Sequence, residues 1–296
     1  MIDACFIAFA MNNVAVSEQI HPDSLSDFIE GKGRSLRRSA IHTTLAAVIR
    51  NRHSVGAAVK IADNLYLTAS HIVSDNPEQY RIQTYTNPKA FPFSVIAQDK
   101  NNDIALLNTQ ETDTPKTGSV VKLGCHIPLL KDTVSYLTLL SHAQSETYET
   151  ELYGKQPFFE DSGSDDFFLG KLISPKGSFV YEIEGYLLPY DVKAIADHLK
   201  RNQIAKKSAY GPEILADPQY ACMTTISGFN GASGGGVFKE SADGLELVGI
   251  VTVSVTEKHL IEIPKSPRGF TRLQQNYTLF THRRAIVELI QNHLHK

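Results

Sequence analysis

Residues 228–238 read Gly-Phe-Asn-Gly-Ala-Ser-Gly-Gly-Gly-Val-Phe, a single serine set in a run of glycines that leads into an apolar segment. A glycine-rich turn takes positive φ and exposes its backbone N–H groups. The N–H groups of Gly231 and Ser233 could aim at one point beside the Ser233 hydroxyl. Acyl transfer needs that pairing of a nucleophile with donors for the developing oxyanion. An ordinary turn between two strands also fits, since Gly and Ser are common turn residues. A phosphate-binding loop does not fit, because no Lys-Ser/Thr pair follows the glycines. Gly231-x-Ser233-x-Gly235 also has the letters of a strand–nucleophile–helix elbow.

The segment after Ser233 decides against the elbow. Residues 236–239, a turn through Asp243-Gly244 and residues 245–255 read as a hairpin, with Asp-Gly as its turn signal. Only residues 234–296 remain to supply an acid and a histidine, and no alternating βα pattern precedes the serine.

Upstream, short β-prone runs recur at residues 46–50, 55–61, 65–73, 79–85, 93–98, 104–108, 119–123, 133–140 and 179–187. Turn residues separate them, and few helical patterns interrupt them. This spacing predicts a mostly antiparallel β body, a barrel or sandwich. Helices are predicted over residues 22–30, over 190–200, and at the C-terminus behind a Thr281 cap. The acidic stretch at 160–166 lacks EF-hand spacing and reads as a solvated loop.

Composition narrows the classes further. A net charge of −3 gives no global signal for nucleic acid or an anionic membrane. Cys5, Cys125 and Cys222 are odd in number and widely spaced, which argues against a zinc site, a redox pair or a disulfide frame. None lies in a glycine-rich setting, so each reads as a small packed side chain. The apolar start is short and carries Asp3 where a secretory signal carries a base. The expectation is a cytoplasmic chain, or one delivered to a reducing compartment, with no membrane span, no metal and no cofactor.

Three motifs fall in the order His, Asp, Ser. His71 closes Thr-Ala-Ser-His71, Asp103 opens Asn-Asp103-Ile-Ala-Leu-Leu, and Ser233 sits in Gly231-Ala-Ser233-Gly-Gly. Asp99 is a rival to Asp103; the apolar run behind Asp103 favours the latter, because it can hold the carboxylate rigidly. Together these motifs resemble those of the chymotrypsin-like (trypsin-like) serine peptidases, as do Leu247-Val248-Gly249-Ile250-Val251 and Tyr277-Thr278. The short interval between His71 and Asp103 looks more like the bacterial HtrA-type members, without their PDZ domains. The resemblance covers roughly residues 45–140 and 220–296.

The resemblance implies a double antiparallel β-barrel with a C-terminal helix, an α/β insertion at 141–220, and a triad in the cleft. Residues 1–44 would be an N-terminal extension, 45–140 about the first barrel and 141–296 the second. It implies a serine endopeptidase acting on protein or peptide substrates, with Gly231 and Ser233 as oxyanion donors. Ser227 would form the base of the substrate pocket, and Thr252, Val253 and Ser254 its strand wall. Ser227 carries no charge, so small or medium apolar side chains are expected there. Ala232 stands where some members keep an Asp that pairs with a newly cut N-terminus, so activation by such a cut is not implied. A non-catalytic binding module of the same fold, or an effector or defence protease gated by residues 141–220, is the alternative. Oligomeric state is left open.

Overall fold

The computed structural model describes residues 22–32, 36, 40–51, 53–73, 77–84, 90–109, 121–140, 170–173, 179–189, 219–226, 231–262 and 270–295. Six strands form the first sheet: β1 (Leu45–Arg50), β2 (His53–Ala62), β3 (Leu65–Thr68), β4 (Tyr80–Thr84), β5 (Phe93–Asp99) and β6 (Ile104–Thr109). Their order is β4-β1-β2-β3-β6-β5, antiparallel throughout. Phe91, just before β5, exchanges two 2.9 Å backbone hydrogen bonds with Ile82 of β4. That bridge joins the two edge strands, so the sheet closes on itself and leaves no long open edge.

β1, β3 and β6 read as nearly continuous apolar runs because both their faces are largely buried, whereas β4 and β5 are mixed and partly exposed. Ala46, Val48, Ala58 and Tyr66 pack in one cluster. The alternate residues Leu45, Ala47, Val59 and Leu67 pack in another, shared with Leu137, Phe238 and Ile250 of the second sheet. Asn51 (φ 50°) and Asn64 (φ 60°) make the tight turns, in the left-handed region where Asn is enriched.

The second sheet contains β7 (Thr133–Leu140), β8 (Gly170–Ile173), β9 (Phe179–Leu188), β10 (Ala221–Thr224), β11 (Gly236–Ser241), β12 (Gly244–Glu262) and β13 (Phe270–His282). The order is β10-β13-β12-β11-β7-β9-β8, and β9 also pairs with β10. That last pairing closes six strands into a ring, with β8 attached outside it along β9. The fold is therefore mostly β, two antiparallel barrels side by side.

Several sequence expectations change here. β7, read as the end of the first unit, pairs with β11 and β9 in the second sheet. Propensity marks a strand but not its partner. The third strand, read as running through residue 73, stops at Thr68; His71 lies in the 3-10 turn Ser70–Ile72 that follows. Within the run at 119–123, Leu123 makes a single parallel bridge to Leu247. β8 and β10 carry too few alternating residues to be read as strands, and their neighbours supply the pairing. The expected helix at 190–200 and the acidic loop at 160–166 lie outside the described residues.

Two helices flank the barrels. α1 (Pro22–Ile29) buries Leu25 and Phe28 completely, in the same cluster as Ile286, Leu289 and Ile290 of α2 (Arg283–Leu294). The Arg283 guanidinium donates to Ile29 O and Gly124 O, both at 2.9 Å, and so ties α2 to the end of α1 and to the segment at Gly124. The cap of α2 is His282, whose Nδ1 accepts from Arg284 N at 3.2 Å; it is not Thr281. Among the described residues, no helix is long and apolar enough to cross a membrane.

Candidate active site

The site begins where β3 ends. Thr68 Oγ1 donates to Ala57 O at 2.6 Å, and the chain then turns through Ser70–Ile72. Asp103 meets this turn three times. Its carbonyl accepts from Ser70 N at 3.1 Å, its Oδ1 from His71 N at 2.9 Å, and its Oδ2 lies 2.8 Å from His71 Nδ1. A carboxylate only accepts, so His71 Nδ1 carries a proton and donates it to Asp103. The Asp103 side chain is 2% exposed, whereas that of His71 is 22% exposed.

Neighbouring groups hold this geometry. Asp103 has φ 51°, a left-handed conformation that Asp tolerates better than most residues, and it turns the carboxylate back toward the histidine. Gln98 Nε2 donates to Ser70 Oγ at 2.7 Å and to Ser70 O at 3.3 Å. The hydroxyl of Thr281, on β13 of the second barrel, donates to Asn102 O at 2.5 Å. The residue expected to cap α2 thus fastens the loop that presents Asp103. Asp99, the rival acid, is engaged in its own turn. Its Oδ1 accepts from Asn101 N and Asn102 N, and its Oδ2 from Asn102 Nδ2 at 2.7 Å.

Ser233 comes from the second barrel and lies against the first. Its carbonyl accepts from Ala57 N at 2.8 Å, and Gly234 N donates to Val251 O at 2.7 Å. Gly234 has φ 85°, and a Cβ there would overlap Ala57 O and Thr68 Oγ1. Only glycine allows the Ser233 turn to sit this close to β2 and β3. Gly231 has φ 94°, again a conformation for glycine. Among the described residues, the N–H groups of Gly231 and Ser233 donate to no acceptor. The carbonyl between them, on buried Ala232, is held by the Tyr136 hydroxyl at 2.9 Å and by Gly235 N at 3.1 Å.

The Ser233 hydroxyl donates to Thr252 O at 3.2 Å. Thr252 is buried, and it is the extra residue at a bulge between Val251 and Val253, where β12 slips against β13. Its own hydroxyl donates to Leu279 O at 3.2 Å. Bulges re-aim backbone groups at such places. Val253 is half-buried and pairs with Leu279; Ser254 follows on the same strand, opposite Thr278. Ser227 lies outside the described residues. Burial pushes the Cys222 thiol up to about 12, so it stays protonated near neutrality and is a poor nucleophile. Cys125 is exposed.

The sequence reading did not single out Gln98 or Tyr136, and it read Thr281 only as a helix cap. Each acts through a contact across the fold, and no local motif announces such a contact.

No family model and no curated protein matches the chain. Solved structures similar to it include the Rv3671c protease in its inactive form, at 11% identity over 86% of this chain and 90% of that one, with TM-score 0.46. An inactive mutant of Rv3671c from M. tuberculosis gives 11% identity, 86% and 88% coverage, and TM-score 0.45. The apo protease domain of MamO from Magnetospirillum magneticum gives 14% identity, 84% and 96% coverage, and TM-score 0.46. By the pairing of its own strands, this chain has the double antiparallel β-barrel fold that the resemblance of its motifs to the trypsin-like serine peptidases implies.

Proposed function

We propose that the chain is a serine endopeptidase that cleaves peptide bonds in protein substrates through Ser233, His71 and Asp103. The observation that carries this reading is the double grip of one buried carboxylate on His71, together with a Ser233 whose own N–H and that of Gly231 donate to no acceptor among the described residues. In this reading the Ser233 hydroxyl leaves Thr252 O and turns to His71 Nε2. Its oxygen bonds to the scissile carbonyl carbon while His71 takes the proton. The oxyanion is received by the N–H groups of Gly231 and Ser233. The C–N bond then breaks as His71 returns the proton to the leaving amine, and water releases the acyl group by the same route. Asp103 keeps the proton on Nδ1 and stabilises the imidazolium. Losing one oxyanion donor typically costs about 2.7–4 kcal/mol of transition-state stabilisation.

The pocket assigned to Ser227, Thr252, Val253 and Ser254 carries no charge in these residues, which favours small or medium apolar side chains before the scissile bond. A cleavage profile dominated by Lys, Arg or Glu would overturn that preference. The test of the chemistry is a fluorophosphonate probe. Labelling of the wild type and not of Ser233→Ala is expected; absence of labelling in both would favour a binding module of the same fold.

A further inference from the structure

A cavity of about 330 Å³ lies between the turn that leads to Asp103 and the C-terminal half of α2. Ala97 and Leu289 give it an apolar floor, at the edge of the cluster that the two barrels share. Its rim is polar. Gln98, Asp99, Lys100 and Asn101 come from the end of β5 and the turn after it, Asn292 and His293 from α2. An apolar floor below a few convergent polar groups is how small-ligand sites are built, and this volume lies at their low end.

The rim groups differ in how far they are already committed. Asp99 accepts three hydrogen bonds within its own turn. Gln98 spends Nε2 on Ser70, while its Oε1 accepts no bond among the described residues. The side chains of Lys100, Asn101, Asn292 and His293 likewise make no hydrogen bond or ion pair among the described residues. Charge then selects the ligand. Lys100 supplies a positive group. Asp99 and the C-terminal end of α2, where the helix dipole is negative, supply the opposite sign. A ligand that suits both carries a carboxylate and an ammonium, with an apolar part to rest on Leu289 and Ala97. A ligand with one charge alone would leave the other wall without a partner.

We propose that this cavity is a binding site for a free α-amino acid with an apolar side chain. The carboxylate pairs with Lys100 and accepts from the Asn101 amide. The ammonium faces the end of α2 and donates to Gln98 Oε1. That bond holds the Gln98 amide in the orientation that donates to Ser70, the residue before His71, and hydrogen bonds in such a chain strengthen one another. Occupancy therefore stiffens the turn that carries the histidine. This coupling, unlike the site itself, rests on Ser233 and His71 being nucleophile and base.

The test of the site is calorimetric titration of the Ser233→Ala chain with L-leucine. A Kd of about 1 mM or below is expected. Leucinamide lacks the carboxylate and N-acetyl-leucine lacks the ammonium, so each should bind at least about tenfold more weakly. Lys100 is exposed, and its replacement leaves the core untouched. Lys100→Gln should weaken leucine by a similar factor, and Lys100→Arg should keep it. The test of the coupling is the rate of fluorophosphonate labelling, which saturating leucine should raise about fivefold. Gln98→Met keeps the length of the side chain without its amide; it should still bind leucine and lose the rise. No binding at about 20 mM, binding indifferent to Lys100→Gln, or equal binding of leucinamide or N-acetyl-leucine overturns the site. Binding without a change in labelling overturns the coupling and leaves the peptidase reading intact. No labelling of any chain, with leucine or without it, sinks the peptidase reading and the coupling together, and the titration still decides the site.

Discussion

At the scale of single residues, the two aspartates that the sequence left in competition have different work. Asp103 binds both the ring and the backbone of His71, while Asp99 closes a turn through Asn101 and Asn102. A tautomer fixed by a carboxylate is lost when the carboxylate becomes an amide, because the amide can donate to the wrong ring nitrogen. Asp103→Asn is therefore expected to lower kcat by about 10⁴-fold with the fold intact. Asp99→Asn should cost no more than about tenfold, the worth of one turn hydrogen bond. Steady-state kinetics on a cleavable peptide compare the two, and equal losses would move the catalytic acid away from Asp103.

At the scale of elements, the Ser233 turn is clamped between strands of both barrels. β2 receives Ser233 O, β12 receives Gly234 N, and β7 contributes the Tyr136 hydroxyl to Ala232 O. That carbonyl belongs to the peptide between the two candidate oxyanion donors, so its bond fixes where the donors point. Tyr136→Phe keeps the buried ring and removes only the hydroxyl. It is expected to cost about 1 kcal/mol of stability. The rate of fluorophosphonate labelling should fall further than that loss explains, since the oxyanion donors lose their alignment. Stopped labelling assays beside a denaturant titration separate the two effects; an unchanged labelling rate would mean that Gly235 N alone holds the peptide.

For the molecule as a whole, the barrels share one apolar cluster, and α1 and α2 are built into it. Leu25 and Phe28 pack with Ile286, Leu289 and Ile290, while Arg283 reaches from α2 to the last turn of α1. A helix that hung free as an extension would tolerate truncation of these side chains. Here Phe28→Ala should cost about 3–5 kcal/mol, as for other fully buried aromatic side chains. The check is thermal unfolding, with a lower Tm and a single transition expected. An unchanged Tm would show that α1 contributes nothing to the core.

The sequence by itself determined the local things. Turn glycines and asparagines marked where strands stop, and apolar runs marked the strands. Three short motifs in chain order marked His71, Asp103 and Ser233 as candidates. Those signals are local because they arise from backbone conformation and from burial of neighbouring residues. The tertiary structure decided what depends on distant partners. It moved β7 into the second barrel, gave α1 a place in the core, and ended β3 before His71. It also turned Thr281 from a helix cap into the tie on the Asp103 loop, through a bond between residues far apart in the chain. The glycine run shows both at once. Its letters required a tight turn around a serine, but only the packing of Gly234 against Ala57 and Thr68 shows why glycine must stand there.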